Sequence, residues 1–201
     1  MFIHDQKAEC YGCTACMSIC PKQAITMVAD EEGFLYPSIN QELCIECDLC
    51  KQVCPFNNNY IISNHYNQPR IYAAKHRNDK VRFNSSSGGM FTAISDYILD
   101  ISGVIYGAAF DVEFFVHHQK AETAEERDNF RGSKYVQSNL IDVFEDIKNE
   151  LINEKPVLFS GTPCQNAGLN SFLNRTYDNL YLCDIVCHGT PSPALWKEYI
   201  S

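Results

Sequence analysis

The stretch Cys10-Tyr11-Gly12-Cys13-Thr14-Ala15-Cys16-Met17-Ser18-Ile19-Cys20-Pro21 spells C-x2-C-x2-C-x3-C-P. The same phrase returns at Cys44-Ile45-Glu46-Cys47-Asp48-Leu49-Cys50-Lys51-Gln52-Val53-Cys54-Pro55. Eight of the eleven cysteines lie in these two runs, and Cys164, Cys183 and Cys187 follow much later. An odd count cannot close entirely into disulfides, and dense local clustering points to metal. Zinc sites take cysteines in C-x2–4-C pairs and have no use for three thiols at two successive x2 intervals, twice over.

The doubled run resembles the bacterial two-cluster ferredoxin pattern, in which tight x2 loops wrap three thiolates around three corners of an iron–sulfur cubane. The cysteine before each proline leads away to the other cluster. The resemblance implies Cys10, Cys13, Cys16 and Cys54 on one [4Fe–4S] cluster, and Cys44, Cys47, Cys50 and Cys20 on the second. Between the runs, Asp30-Glu31-Glu32-Gly33 is a turn signal separating Ala24–Ala29 from Phe34–Ile39, which predicts a β-hairpin. This module is expected over residues 1–58.

Residues 59–69 are Asn-rich and read as a linker. Beyond them, over 70–201, strand and helix patterns alternate. Strands are predicted at Ile71–Lys75, Val104–Phe110, Glu113–His118, Pro156–Ser160 and Leu180–Val186. Helices are predicted at Met90–Leu99, at Leu140–Leu151 opened by Ser138 or Asn139, at Gln165–Leu173 and at Ala194–Ile200. The fold class expected is α+β: a two-[4Fe–4S] ferredoxin module followed by an α/β domain.

Three loops of that domain hold more Gly, Ser and polar residues than packing needs. Ser85-Ser86-Ser87-Gly88-Gly89 directly precedes a helix, where backbone N–H groups and hydroxyls make either an anion cradle or an ordinary Ser/Gly cap. Arg131-Gly132-Ser133-Lys134-Tyr135 offers two cations and an aromatic ring, and equally suits a solvated loop. Gly161-Thr162-Pro163-Cys164-Gln165 ends an apolar strand, where α/β sheets tend to place ligands. Neither G-x-G-x-x-G nor a Walker A sequence occurs. Cys183, inside a strand, reads as a buried core thiol. Cys164, and Cys187 beside His188, sit in loops where a redox or ligand role is more plausible. His117 and His118 are adjacent on a strand, so their side chains face opposite ways and do not share a metal.

Taken in order, S-S-G-G-x-F-T (Ser86–Thr92), F-R-G-S-K-Y-V-Q-S (Phe130–Ser138), G-T-P-C-Q (Gly161–Gln165) and C-H-G-T-P-S (Cys187–Ser192) resemble the coenzyme F-420 hydrogenase/dehydrogenase beta subunit family. The arrangement is also similar to 7-hydroxymethyl chlorophyll a reductase. The resemblance implies FAD as a cofactor beside two [4Fe–4S] clusters. Ser86, Ser87, Gly88 and Gly89 would receive phosphate; Ser133, Lys134 and Tyr135 would hold phosphate, ribose or ring edge. Thr162, Cys164 and His188 are the candidate catalytic residues. Hydride exchange with coenzyme F-420 or another small organic donor or acceptor would be the reaction. A ferredoxin-like carrier whose α/β part only docks is the competing function. Members of the family extend well past the C-H-G-T-P-S segment, so an incomplete flavin domain is expected here.

The formal charge of −9, with only sixteen Lys and Arg, argues against a nucleic-acid partner. Each oxidised cubane with four thiolates adds about −2, so a redox partner with a basic docking face is expected. No apolar run approaches the ~18 residues of a membrane span. Met1-Phe2-Ile3-His4-Asp5 does not read as a signal peptide, and a cytoplasmic location is expected.

Overall fold

A computed structural model describes residues 7–57 and 69–201 of the chain. The stretch read as a linker falls outside the described residues except for its last position. In the N-terminal part, helix α1 (Ala15–Ser18) follows the first x2 loop, and strands β1 (Ile25–Ala29) and β2 (Leu35–Ile39) pair antiparallel, with Ile25 opposite Ile39 and Ala29 opposite Leu35. The turn forms because the Asp30 carboxylate accepts from the N–H groups of Glu32 and Phe34, at 3.0 and 2.9 Å. Helix α2 (Leu49–Gln52) repeats α1 after the second loop.

The rest of the chain runs α3 (Asp79–Phe83), α4 (Met90–Asp100), β3 (Val104–Phe110), β4 (Val116–Ala121), α5 (Ala124–Asp128), α6 (Val143–Ile152), β5 (Val157–Gly161), α7 (Pro163–Leu173), β6 (Leu180–Asp184) and α8 (Pro193–Ile200). The four strands form one sheet in the order β4-β3-β5-β6. Strands β3, β5 and β6 are parallel, while β4 turns back antiparallel on β3. Period-two alternation divides the core between the two faces. Val104, Tyr106, Val157 and Phe159 face α6 and α7; Ile105, Ala109 and Leu158 pack with Ile98 of α4 and Phe130. Each Leu, Ile or Phe sealed there contributes roughly 1.5–3 kcal/mol.

Three expectations need correction. The strand expected at Glu113–His118 runs Val116–Ala121, because the Asp111 carboxylate accepts from the Glu113 and Phe115 N–H groups and holds the intervening residues in a turn. Ile71–Lys75 is not a strand; Ile71 is 91% exposed, and no strand of the described residues pairs with it. The helix expected from Leu140 begins at Val143, with Asp142 as its N-cap. Ser138 and Asn139 are engaged elsewhere: Asn139 bridges to His117 of β4, and Ser138 bonds the His118 ring.

The ferredoxin part is packed into the second domain. Ala15 and Val53 belong to the same buried cluster as Phe144, Ile147, Leu169 and Phe172. The Ser171 hydroxyl donates to the Val53 carbonyl, and the Leu35 N–H donates to Gln137 Oε1 at 3.1 Å. Two glycines permit this approach. A Cβ on Gly168 of α7 would lie 2.8 Å from both Cβ and Sγ of Cys13. One on Gly12, whose φ is +65°, would meet the Gln137 amide at 2.6 Å.

Candidate functional site

Cys10, Cys13, Cys16 and Cys54 line one cavity of the N-terminal part. Cys20, Cys44, Cys47 and Cys50 line another. Each therefore takes three thiols from one motif and the pre-proline thiol of the other. Peptide N–H groups serve the sulfurs: Gly12 donates to Cys10, Ala15 to Cys13, Lys51 to Cys50, and Ala24 to Cys20 at 3.3 Å. Donors of that kind stabilise thiolate. The two settings differ. Burial pushes the Cys13 thiol up to about 12 and holds Cys16 well above its ordinary range. Bare thiolates are thus costly in the first cavity, and a group carrying ferric and ferrous charge would relieve that cost. The second cavity opens at an exposed Cys47, with Leu43, Ile45 and Leu49 exposed around it. The donor sets fit two iron–sulfur cubanes. Among the described residues, no three His, Cys, Asp or Glu side chains converge closely enough for a single metal ion.

The loops singled out in the second domain meet across the sheet. Ser85–Ser87 and Gly89, at the start of α4, share a cavity of about 230 Å³ with Arg131–Lys134. A second cavity, of about 430 Å³, runs from Cys10–Gly12 to Thr162, Cys164 and Cys187. Ala108, Lys134, Ser160 and Ile185 line both, so the two form one trough. One end is a helix N-terminus and Ser/Gly loop suited to an anion; the other reaches the loop of the first cysteine quartet. Arg131 is committed, its guanidinium donating to Thr92 Oγ1 and to Asp128. Among the described residues, Lys134 Nζ donates only to the carbonyls of Asn129 and Arg131, at 2.7 and 3.0 Å. No carboxylate among the described residues pairs with it. Burial lowers its pKa to about 8.

The floor of the trough is tied by a chain of hydrogen bonds that motif reading missed. The Ser160 carbonyl can only accept, so His118 Nε2 carries the proton and donates to it at 3.1 Å. Nδ1 then accepts from Ser138 Oγ at 2.8 Å, and that oxygen accepts from Gln165 Nε2 at 2.9 Å. Gln165 Oε1 in turn accepts from the Thr162 N–H, also at 2.9 Å. The imidazole stacks on Phe159, and burial depresses its pKa to about 4, so it stays neutral. Strand alternation did separate the two histidines: His117 faces Asp111 at 2.9 Å.

Cys164 lies in the trough, with Sγ 3.0 Å from Thr162 Oγ1. Three candidate residues stand apart from it. Tyr135 is 76% exposed, Gly88 packs against the Ala74 carbonyl, and His188 is exposed, with none of them lining the trough. Cys183 lines the anion end from inside β6.

Two regions of the chain match known families. Residues 9–58 match the 4Fe-4S dicluster domain, and residues 71–145 match the family described as coenzyme F420 hydrogenase/dehydrogenase, beta subunit N-terminal. An uncharacterized ferredoxin of Methanocaldococcus jannaschii is 35% identical over 51 residues, 25% of this chain and 65% of that protein. Pyruvate synthase subunit PorD of Thermotoga maritima is 39% identical over 49 residues, 24% of this chain and 46% of that protein. The chain thus spans between about half and two thirds of the length of these relatives. No helix among the described residues is long and apolar enough to cross a membrane. The dicluster match and its eight cysteines indicate two [4Fe–4S] clusters. The chain is an iron–sulfur electron-transfer protein that joins a 4Fe-4S dicluster domain to the N-terminal domain of the coenzyme F420 hydrogenase/dehydrogenase beta subunit family.

Proposed function

We propose that the chain is an FAD-dependent oxidoreductase in which Cys10, Cys13, Cys16 and Cys54 hold one [4Fe–4S] cluster, and Cys20, Cys44, Cys47 and Cys50 hold the other. The observation that carries the flavin reading is the continuity of the trough, from an anion-suited loop at α4 to the backbone of Cys10–Gly12. FAD would supply the conversion between hydride and single-electron chemistry. Ser86, Ser87 and Gly89 present hydroxyl and N–H donors to a phosphate, and Lys134 adds a cation at the junction. Ser160, Thr162 and Cys164 border the deeper part, held in place by the His118–Ser138–Gln165 chain. The substrate would be coenzyme F-420 or another small organic hydride donor or acceptor. A protein partner would exchange electrons at the exposed Cys47 side.

The test is anaerobic purification with reconstitution, followed by iron, sulfide and flavin quantitation. Two clusters and a flavin near one per chain are expected; clusters without flavin would sink the FAD reading. A second function has its own support, because each of the two relatives matches only about a quarter of this chain and one of them is described as a ferredoxin. On that reading the protein is a carrier subunit, and it would exchange electrons with a partner but show no hydride chemistry.

A further inference from the structure

The two cysteine motifs place a residue at the same point, directly after their second cysteine: Thr14 in one, Asp48 in the other. Both take the left-handed backbone, φ 66° and 56°, and both open a one-turn helix without capping it through the side chain. Their surroundings then diverge. Asp48 is exposed and pairs with Lys51 at 2.8 Å. Thr14 is 2% exposed, lines the cavity of Cys10, Cys13, Cys16 and Cys54, and its hydroxyl has no hydrogen-bond partner among the described residues.

A sealed hydroxyl without an acceptor is costly, and a helix N-cap would ordinarily spend it on the backbone. Among the described residues, no protein acceptor bonds Oγ1. The acceptors this cavity gains on assembly are thiolate and sulfide sulfurs. We propose that Thr14 Oγ1 donates a hydrogen bond to a sulfur of the cluster held by Cys10, Cys13, Cys16 and Cys54, and thereby raises that cluster's reduction potential. Reduction adds one electron and makes the cluster more negative, so a donor stabilises the reduced form more than the oxidised one. Asp48, at the matching point, offers only a carboxylate that cannot donate. Thr14 is a tuning residue of the enclosed cluster alone, and this rests on the cysteine assignment proposed above.

The test is EPR-monitored reduction of reconstituted holoprotein across a series of poised potentials, for wild type, Thr14→Val and Thr14→Ser. Thr14→Val keeps the branched shape and removes the donor. It is expected to cut the reduced-to-oxidised ratio of one cluster about tenfold at fixed poise, a fall of ~59 mV for one electron. The other cluster should not move, and Thr14→Ser should stay at the wild-type value. An unchanged potential in Thr14→Val, or equal shifts in both variants, overturns the proposal. An anaerobic crystal structure of wild-type holoprotein gives a check without any variant: Oγ1 within hydrogen-bonding reach of a cluster sulfur supports it, and Oγ1 bonded to water or backbone overturns it. Fewer than two reducible cluster signals in wild type would instead defeat the cysteine assignment itself.

Discussion

Two runs with one spelling end in opposite surroundings. The quartet of Cys10, Cys13, Cys16 and Cys54 is roofed by α7, with Gly168 admitting the Cys13 sulfur and Ala15 and Val53 buried in the neighbouring domain's core. The quartet of Cys20, Cys44, Cys47 and Cys50 opens to solvent at Cys47 between Ile45 and Leu49. Motif spelling dictates which sulfurs meet, while the second domain dictates which quartet is enclosed. A duplicated module thereby acquires an inner end beside the trough and an outer end at the surface. Such polarity suits single-electron relay between a bound ligand and a partner.

The harshest way to break the comparison is to exchange the two pre-proline cysteines for serine. Cys54→Ser, though it lies in the second motif, should cost the enclosed cluster and leave the exposed one. Cys20→Ser should do the reverse. Each variant should lose about half the iron, and EPR should show which signal survives. Loss of the cluster belonging to the variant's own motif would contradict the crossed assignment.

Next in size is Lys134, at the junction of the trough. Lys134→Met should weaken flavin binding by at least about tenfold, the worth of one charge-assisted contact, with cluster content unchanged. The pH dependence has a definite sign. Free Lys134 loses its proton near 8, and a bound anion would raise that value. Affinity should be flat below pH 8 and fall above it, approaching about one decade per pH unit. Equilibrium dialysis from pH 7 to 9.5 measures this, and the methionine variant should show no such slope.

How much of this was legible in the sequence follows from the range of the interactions. The hairpin, the strand Val104–Phe110 and the loop positions were readable because a turn carboxylate, an unbroken apolar run and a Gly-rich helix start are encoded within a few residues. The exclusion of Tyr135 and His188 from the trough was not, since neighbours in sequence diverge once one of them is sealed by a distant element. The His118 chain joins residues 118, 138, 160 and 165, and no local spacing announces it. Gly168 reads as an ordinary weak spot in a helix until Cys13 is placed against it.

The enclosed side should also respond to acid in a way the exposed side does not. His118 is neutral in the fold, with its pKa depressed to about 4, against about 6.5 when unfolded. Above 6.5 the ring is neutral in both states and pH has no leverage. Below it the unfolded chain binds a proton that the folded one refuses, so stability falls by up to about 1.4 kcal/mol per unit until pH 4. Urea midpoints of the holoprotein at pH 7.0 and 5.5 should show this increment, and His118→Gln should lack it while keeping both clusters.

The smallest effect belongs to the outer end. Around Cys47, Glu46 and Asp48 balance Lys22 and Lys51, so the charge of about −2 on the oxidised cluster sets the sign of this face. Electron exchange with a lysine-rich c-type cytochrome should therefore slow a few-fold between low and physiological salt, as screening shortens the reach of these charges. Glu46→Lys should blunt that dependence, changing encounter rate and leaving the cluster's potential near its original value, because an exposed charge is screened by water. Stopped-flow oxidation of prereduced protein separates the two possibilities. If the exposed quartet is the outlet, Glu46→Lys slows the cytochrome reaction but not oxidation by a small neutral quinone. Equal slowing of both would place the outlet elsewhere, and the contrast between enclosed and open quartets would then describe packing without direction.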